Sequence, residues 1–227
     1  MSFQALWIKI CGNTSPGDAQ LAAEAGADAV GFVFAPSPRQ VTAAEAAAIV
    51  RRLSPQIEKI GVFVDAPLEE IYATVRVSGL TGVQLHFDAP AELAAKLRQR
   101  LGPSLRILRV VHFQAGAAEK AAKQITELSR DPHADAVLVD SRTAKAVGGT
   151  GVAFDWAAAA TALGRNVDAQ LRLVAAGGLN PANVAAAIAA LKPWGVDAVS
   201  GVEAAPGRKD AEKVRAFVAR ARAAHSE

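Results

Sequence analysis

Only one cysteine, Cys11, occurs in the chain. A single thiol excludes an internal disulfide and a cysteine cluster for zinc, and it suits a reducing, cytoplasmic setting. Aromatic residues are scarce, at 5% of 227 residues. Neither sign of charge dominates: 25 Lys and Arg against 22 Asp and Glu leave a net +3. So mild and dispersed a balance argues against nucleic acid as a partner, while it still helps attract a small anionic ligand. No basic segment followed by an apolar stretch stands at the N-terminus, so no signal peptide is expected. The uncharged stretch from Leu173 to Leu191 has spanning length, but Gly177-Gly178, Asn180-Pro181 and Asn183 interrupt it and argue against a membrane helix. HExxH, GxSxG, Walker A and paired metal-ligand spacings are missing, so neither a metal nor a nucleotide cofactor is expected.

What the chain does have is alanine, within a hydrophobic fraction of 51%, and a regular alternation of short β-branched runs with alanine-rich helical ones. The runs predict strands over Leu6–Ile10, Ala29–Phe34, Lys59–Val64, Gly82–Leu85, Leu105–Val111, Ala136–Val139, Leu171–Ala175 and Asp197–Ser200. Helices are predicted over Gly17–Ala25, Ala43–Leu53, Leu68–Val77, Ala91–Leu101, Ala117–Ser129, Trp156–Leu163, Ala182–Leu191 and Ala211–Ala223. Ser15-Pro16 and Asn180-Pro181 each place a cap before a proline, and Thr42-Ala43-Ala44-Glu45 reads as a capping box. The strands are apolar on both faces, as a covered parallel sheet requires. No linker or low-complexity segment divides the chain, so residues 1–227 are expected to form one domain. About eight such units close into an α/β fold of the (β/α)8, or TIM, barrel type. An open doubly wound sheet is the alternative, weakened because no GxGxxG follows the first strand.

In a barrel, function gathers where strands end. Cys11 leaves the first strand; it is either a small buried hydrophobe or a thiol poised to move a proton. Lys9, two residues earlier on the same strand face, could favour a thiolate. Asp140 follows the apolar run Ala136-Val137-Leu138-Val139 and is either a turn residue or a general acid facing Cys11. Gly148-Gly149-Thr150-Gly151 reads as a flexible loop or as backbone that approaches a ligand closely. Small residues follow both of the last strands, Gly177 and Gly178 in one loop and Ser200 and Gly201 in the other. Barrels often hold phosphate at that place through backbone N–H groups. Arg39 lies in the proline-stiffened loop Pro36-Ser37-Pro38-Arg39, where a preorganised guanidinium can grip a carboxylate with two parallel bonds. His86 and Asp197 sit near strand ends, where a structural hydrogen-bonding role is an equal reading.

Taken in order, these segments resemble phosphoribosylanthranilate isomerase, a barrel enzyme family of tryptophan biosynthesis. The resemblance rests on Lys9-Ile10-Cys11-Gly12, Gly31-Phe32-Val33-Phe34 with Ser37-Pro38-Arg39, Gly61-Val62-Phe63-Val64 and Gln84-Leu85-His86. It continues through Leu138-Val139-Asp140-Ser141, Gly148-Gly149-Thr150-Gly151 with Phe154-Asp155-Trp156, Ala176-Gly177-Gly178-Leu179-Asn180-Pro181, and Ser200-Gly201-Val202-Glu203 with Pro206-Gly207 and Lys209-Asp210. It implies an Amadori rearrangement of N-(5-phosphoribosyl)anthranilate to the aminoketose, without metal or cofactor. Under it, Asp140 is the general acid on the ribose ring oxygen and Cys11 the general base at ribose C2. Arg39 binds the anthranilate carboxylate, Gly177, Gly178, Ser200 and Gly201 hold the phosphate, and His86 and Asp197 line the pocket. The implied partner is a small phosphoribosyl substrate, not nucleic acid or membrane, and the chain would be a monomer or homodimer. Phe87 stands where the family usually has glycine, Asp65 where asparagine is common, and Val199 where a hydroxyl is usual. A related histidine-pathway aminoaldose isomerase, which has a carboxylate where Cys11 stands, and a non-catalytic phosphate-binding barrel are the competing readings.

Overall fold

The structure, a computed structural model, describes residues 5–86, 89–113, 118–140 and 172–226. The Gly148–Gly151 loop, Phe154-Asp155-Trp156, the helix expected over Trp156–Leu163 and Phe87 lie outside the described residues. The strands β1 (Trp7–Ile10), β2 (Ala29–Val33), β3 (Glu58–Phe63), β4 (Gly82–His86), β5 (Arg106–His112), β6 (Ala136–Asp140), β7 (Leu173–Ala176) and β8 (Gly195–Ala198) form a closed barrel in chain order. Every neighbouring pair is parallel, and β8 closes the ring onto β1 with Trp7 opposite Gly195 and Lys9 opposite Asp197. Closure removes sheet edges altogether. Outside lie helices α1 (Pro16–Glu24), α2 (Ala43–Val50), α3 (Leu68–Ser78), α4 (Ala91–Leu101), α5 (Ala118–Ser129), α6 (Val184–Leu191) and α7 (Ala211–Ser226). Among the described residues, no helix is long and apolar enough to cross a membrane.

Strand alternation separates two cores. Ile8 and Ile10 of β1 pack outward with Ala19 and Ala22 of α1 and with Val214, Phe217 and Val218 of α7. Trp7 points inward, clustering with Ala29, Ile60, Leu108, Leu138 and Val174 from other strands. Lys9 and Cys11 continue the inward row of β1, as Leu138 and Asp140 do on β6. The barrel interior is therefore apolar at the end where strands begin and polar where they finish.

Local capping follows the sequence closely. Ser15 Oγ accepts from Asp18 N at 3.2 Å and Pro16 opens α1. Thr42 and Glu45 exchange both bonds of a capping box. Asn180 does not cap α6 as expected: its Oδ1 accepts from Ala182 N and its own N–H donates to Asn183 Oδ1, each at 2.8 Å. The chain makes a polar turn there, and the helix starts only at Val184. The last barrel strand also lies earlier than expected. Pairing with β1 spans Gly195 to Ala198, after which Val199 turns away at φ −123° and ψ −89° into a 3₁₀ turn over Ser200–Val202. A short antiparallel hairpin follows, β9 (Glu203–Ala205) and β10 (Arg208–Lys209).

Candidate active site

At the C-terminal mouth of the barrel, Cys11 continues β1, its N–H donating to the Ala198 carbonyl of β8 at 2.9 Å. The thiol is buried, 3% exposed, and lies directly over Gly31 of β2. A Cβ at Gly31 would stand 2.4 Å from Cys11 Sγ, so the absence of a side chain makes the thiol's seat. Asn13 pins the loop beyond, donating to the carbonyls of Ile10 at 2.8 Å and Gly31 at 3.1 Å.

Beneath the thiol is a layer of buried polar groups. Lys9, fully buried, donates to Gln84 Oε1 of β4 at 2.9 Å and to Asp197 Oδ1 of β8 at 3.0 Å. A lysine can be buried in this way because acceptors from two other strands surround its ammonium group. Burial alone would discharge it, but Asp197 and Cys11 outweigh that and push Lys9 above its ordinary value. Asp197 is itself pushed up by burial, with Lys9 opposing and the charge of Asp140 adding. Asp140, at the end of β6, therefore faces the same space as Asp197.

A second cation reaches Cys11 from the hairpin. Lys209 of β10 donates to the Cys11 carbonyl at 2.6 Å and to Glu203 Oε1 at 3.2 Å. Glu203 is gripped in turn by Arg39, Nε to Oε1 at 2.8 Å and Nη2 to Oε2 at 2.6 Å. Burial pushes the Glu203 carboxyl up, but Arg39 and Lys209 together hold it below its ordinary value. For Cys11 the balance falls the other way. Burial is the largest influence and raises the thiol; Lys9 and Lys209 lower it and Asp197 raises it further, leaving it above 9.0. Lys9 does favour the thiolate, as its strand position suggested, but less strongly than burial opposes it.

On the far side of the mouth, His86 at the end of β4 meets His112 at the end of β5, Nδ1 to Nε2 at 3.1 Å. His112 Nδ1 lies 4.0 Å from Asp140 Oδ2. The phosphate-type loops also come together. Gly201 packs so closely on the loop after β7 that a Cβ there would lie 2.0 Å from the Leu179 carbonyl oxygen. Gly177 and Gly178 both adopt left-handed φ, 89° and 67°. Among the described residues no group of His, Cys, Asp and Glu could hold a metal ion.

Cys11, Asp140, Arg39, His86, Asp197, Gly177, Gly178, Ser200 and Gly201 thus all lie on or just inside one rim. Asp197, expected to open its strand, is instead the next-to-last residue of β8, nearer the mouth, because that strand runs two residues earlier than the sequence suggested. The face of Arg39 expected to grip a ligand's carboxylate is occupied by Glu203, so this carboxylate, rather than the prolines alone, holds the guanidinium. Sequence reasoning assigned no role to Asn13, Gln84, His112, Glu203 or Lys209. The signal for the last two was the Pro206-Gly207 turn, which places Glu203 and Lys209 on adjacent strands.

Comparison with known proteins agrees with this geometry. The family model described as N-(5'-phosphoribosyl)anthranilate (PRA) isomerase matches residues 8–220. N-(5'-phosphoribosyl)anthranilate isomerases of Pelobacter propionicus and Geobacter sulfurreducens are each 43% identical to the chain, over 97% and 95% of it and 97% and 98% of their own lengths. The crystal structure of phosphoribosyl anthranilate isomerase from Thermotoga maritima superposes with a TM-score of 0.83 at 34% identity, covering 96% of this chain and 99% of that one. A second isomerase structure, in complex with reduced 1-(o-carboxyphenylamino)-1-deoxyribulose 5-phosphate, superposes at 0.79 and 33% identity over 96% and 99% of the two chains. The chain belongs to the N-(5'-phosphoribosyl)anthranilate isomerase family.

Proposed function

We propose that this chain isomerises N-(5'-phosphoribosyl)anthranilate, the rearrangement that serves tryptophan biosynthesis, with Asp140 as proton donor and Cys11 as proton acceptor. The charge count at the mouth carries the reading. Among the described residues, the cations Lys9, Arg39 and Lys209 outnumber the paired carboxylates Asp197 and Glu203 by one. Cys11, acted on by Lys9, Lys209 and Asp197, and Asp140, whose charge reaches Asp197, meet that group from β1 and β6. An acid–base pair that must give one proton and take another needs that arrangement.

The steps follow from it. Asp140 protonates the ribose ring oxygen, the C1–O bond breaks, and the nitrogen lone pair forms the C1=N iminium. The Cys11 thiolate then removes the proton from C2, and the C2–H electrons form an enolamine as the iminium is neutralised. Tautomerisation yields the aminoketose. Burial raises the Cys11 thiol, and Lys9 and Lys209 oppose it, so the two lysines are what favour the thiolate that the second step uses. Gly177, Gly178, Ser200 and Gly201 hold the phosphate through backbone N–H groups, Arg39 takes the anthranilate carboxylate, and His86 and Asp197 complete the walls. The histidine-pathway reading is not favoured: a thiol stands where that reaction has a carboxylate, and the relatives act on the anthranilate compound by name.

Product formation from the aminoaldose, followed chromatographically, tests the assignment. Cys11→Ser and Asp140→Asn should each lower kcat by about 10²- to 10⁴-fold, the usual contribution of a positioned acid or base. Their circular dichroism and unfolding midpoints should stay close to those of the parent. Near-normal turnover in either variant removes that residue from its role.

A further inference from the structure

The carboxylate pocket is built on a guanidinium that already holds a carboxylate. Arg39 gives Nε and Nη2 to the two oxygens of Glu203. An incoming acid would not displace Glu203. Its side chain is only 4% exposed, and Oε1 accepts two further bonds, from Lys209 Nζ and Gly207 N, each at 3.2 Å. Opening the fork would strand a buried carboxylate, which is more costly than leaving it closed. A ligand acid therefore meets the opposite edge of Arg39, at Nη1, where no described residue supplies a partner. The stem of Arg39 packs over Gly12, next to Cys11, and Ser37 Oγ accepts from the Arg39 N–H at 3.0 Å. One edge of the guanidinium is thus fixed from inside the protein, while the side chain as a whole stays 21% exposed.

We propose that Glu203 is a positioning residue that sets specificity for the ortho-carboxylate of the substrate, by locking the inner edge of Arg39 and so presenting only its outer edge. Through Lys209, which Glu203 binds and which is anchored on the Cys11 carbonyl, the same carboxylate fixes the distance between the acid-binding edge and the base. A guanidinium held at Nε and Nη2 keeps its remaining N–H groups, on Nη1 and Nη2, in one fixed plane, so it selects a carboxylate placed at a set distance from the reacting sugar. The inference rests on the assignment of Arg39 to the substrate carboxylate.

A double-mutant cycle separates the two. Glu203→Gln keeps the shape of the side chain but loses the charge that orients Arg39. It should raise KM for the aminoaldose about tenfold or more, with a smaller change in kcat, the size expected when a charge-assisted bond is lost. Competitive inhibition by inorganic phosphate should be unchanged, because phosphate binds at the loops after β7 and β8. Arg39→Ala should raise KM at least as much, and the double variant should be no worse than Arg39→Ala alone, since Glu203 acts through Arg39. If Glu203→Gln leaves KM unaltered, or if the two effects multiply, Glu203 does not position Arg39 and the proposal fails. If Arg39→Ala itself leaves KM unaltered, the assignment of Arg39 fails first, which is a different result. Should Glu203→Gln not fold, Glu203→Asp carries the test: it retains the charge but withdraws it from Arg39, and an intermediate rise in KM is expected where an unchanged KM would overturn the proposal.

Discussion

At the scale of single residues, the site is governed by what surrounds Cys11 rather than by the thiol itself. Its bulk is accommodated by Gly31, and its charge is set by burial against the pull of Lys9 and Lys209. Because Cys11 is the only cysteine, its titration can be read directly from the pH dependence of alkylation by a small haloacetamide. The midpoint should lie above the ordinary thiol value of 9.0, since burial exceeds the effect of both lysines. In Lys209→Met the midpoint should rise further, because a nearby positive charge is lost. A midpoint below 9.0 in the parent would mean that charge, not burial, sets the resting state.

Among the elements, the short hairpin β9–β10 does more for the site than its size suggests. It carries Glu203 and Lys209, and with them it ties the loop bearing Arg39 to the end of β1. The loops after β7 and β8 are coupled in a different way, by close backbone contact at Gly201. A Cβ at that position cannot fit against the Leu179 carbonyl, so Gly201→Ala must push the two loops apart. On the proposed assignment of phosphate to these loops, the expected outcome is a weaker grip: inhibition by inorganic phosphate should fall about tenfold or more, as when a set of well-placed hydrogen bonds is misaligned. KM should rise in parallel while the alkylation midpoint of Cys11 stays put. Unchanged phosphate inhibition would show that the contact between the loops does not shape the anion site.

For the molecule as a whole, the buried ionisable groups at the barrel mouth couple stability to pH. Glu203 is held below its ordinary carboxylate value of 4.5 in the folded state, so its contribution is fully present above that value. It is lost as pH falls through the lower folded value, where the folded carboxylate takes up its proton. Cys11 acts at the other extreme: being raised, it contributes below 9.0 and that contribution is lost as pH climbs through the folded value. Urea unfolding measured from neutral pH downward should therefore show falling stability below about pH 4.5. The fall should be shallower in Glu203→Gln than in the parent; equal slopes would mean that the fork between Arg39 and Glu203 contributes nothing to acid stability.

The sequence by itself determined the periodic order of the fold and the strand exits from β1 to β7. Alternating apolar runs led to a parallel barrel, because each strand buried on both faces has to be apolar throughout, and Ser15 and Thr42 marked the starts of α1 and α2. Position at the end of such runs was enough to find Cys11 and Asp140 on one rim. The tertiary structure alone decided the partners. Lys9, Gln84 and Asp197 come from separate strands, and they meet only because β8 closes onto β1 in the register that sets Lys9 opposite Asp197. The fork of Glu203 on Arg39 joins positions 164 apart in the chain, and nothing local to either residue records it. Chain-local rules reach a side chain's strand face and its turn; they do not reach the charge waiting across the barrel, which fixes how strongly each group holds its proton.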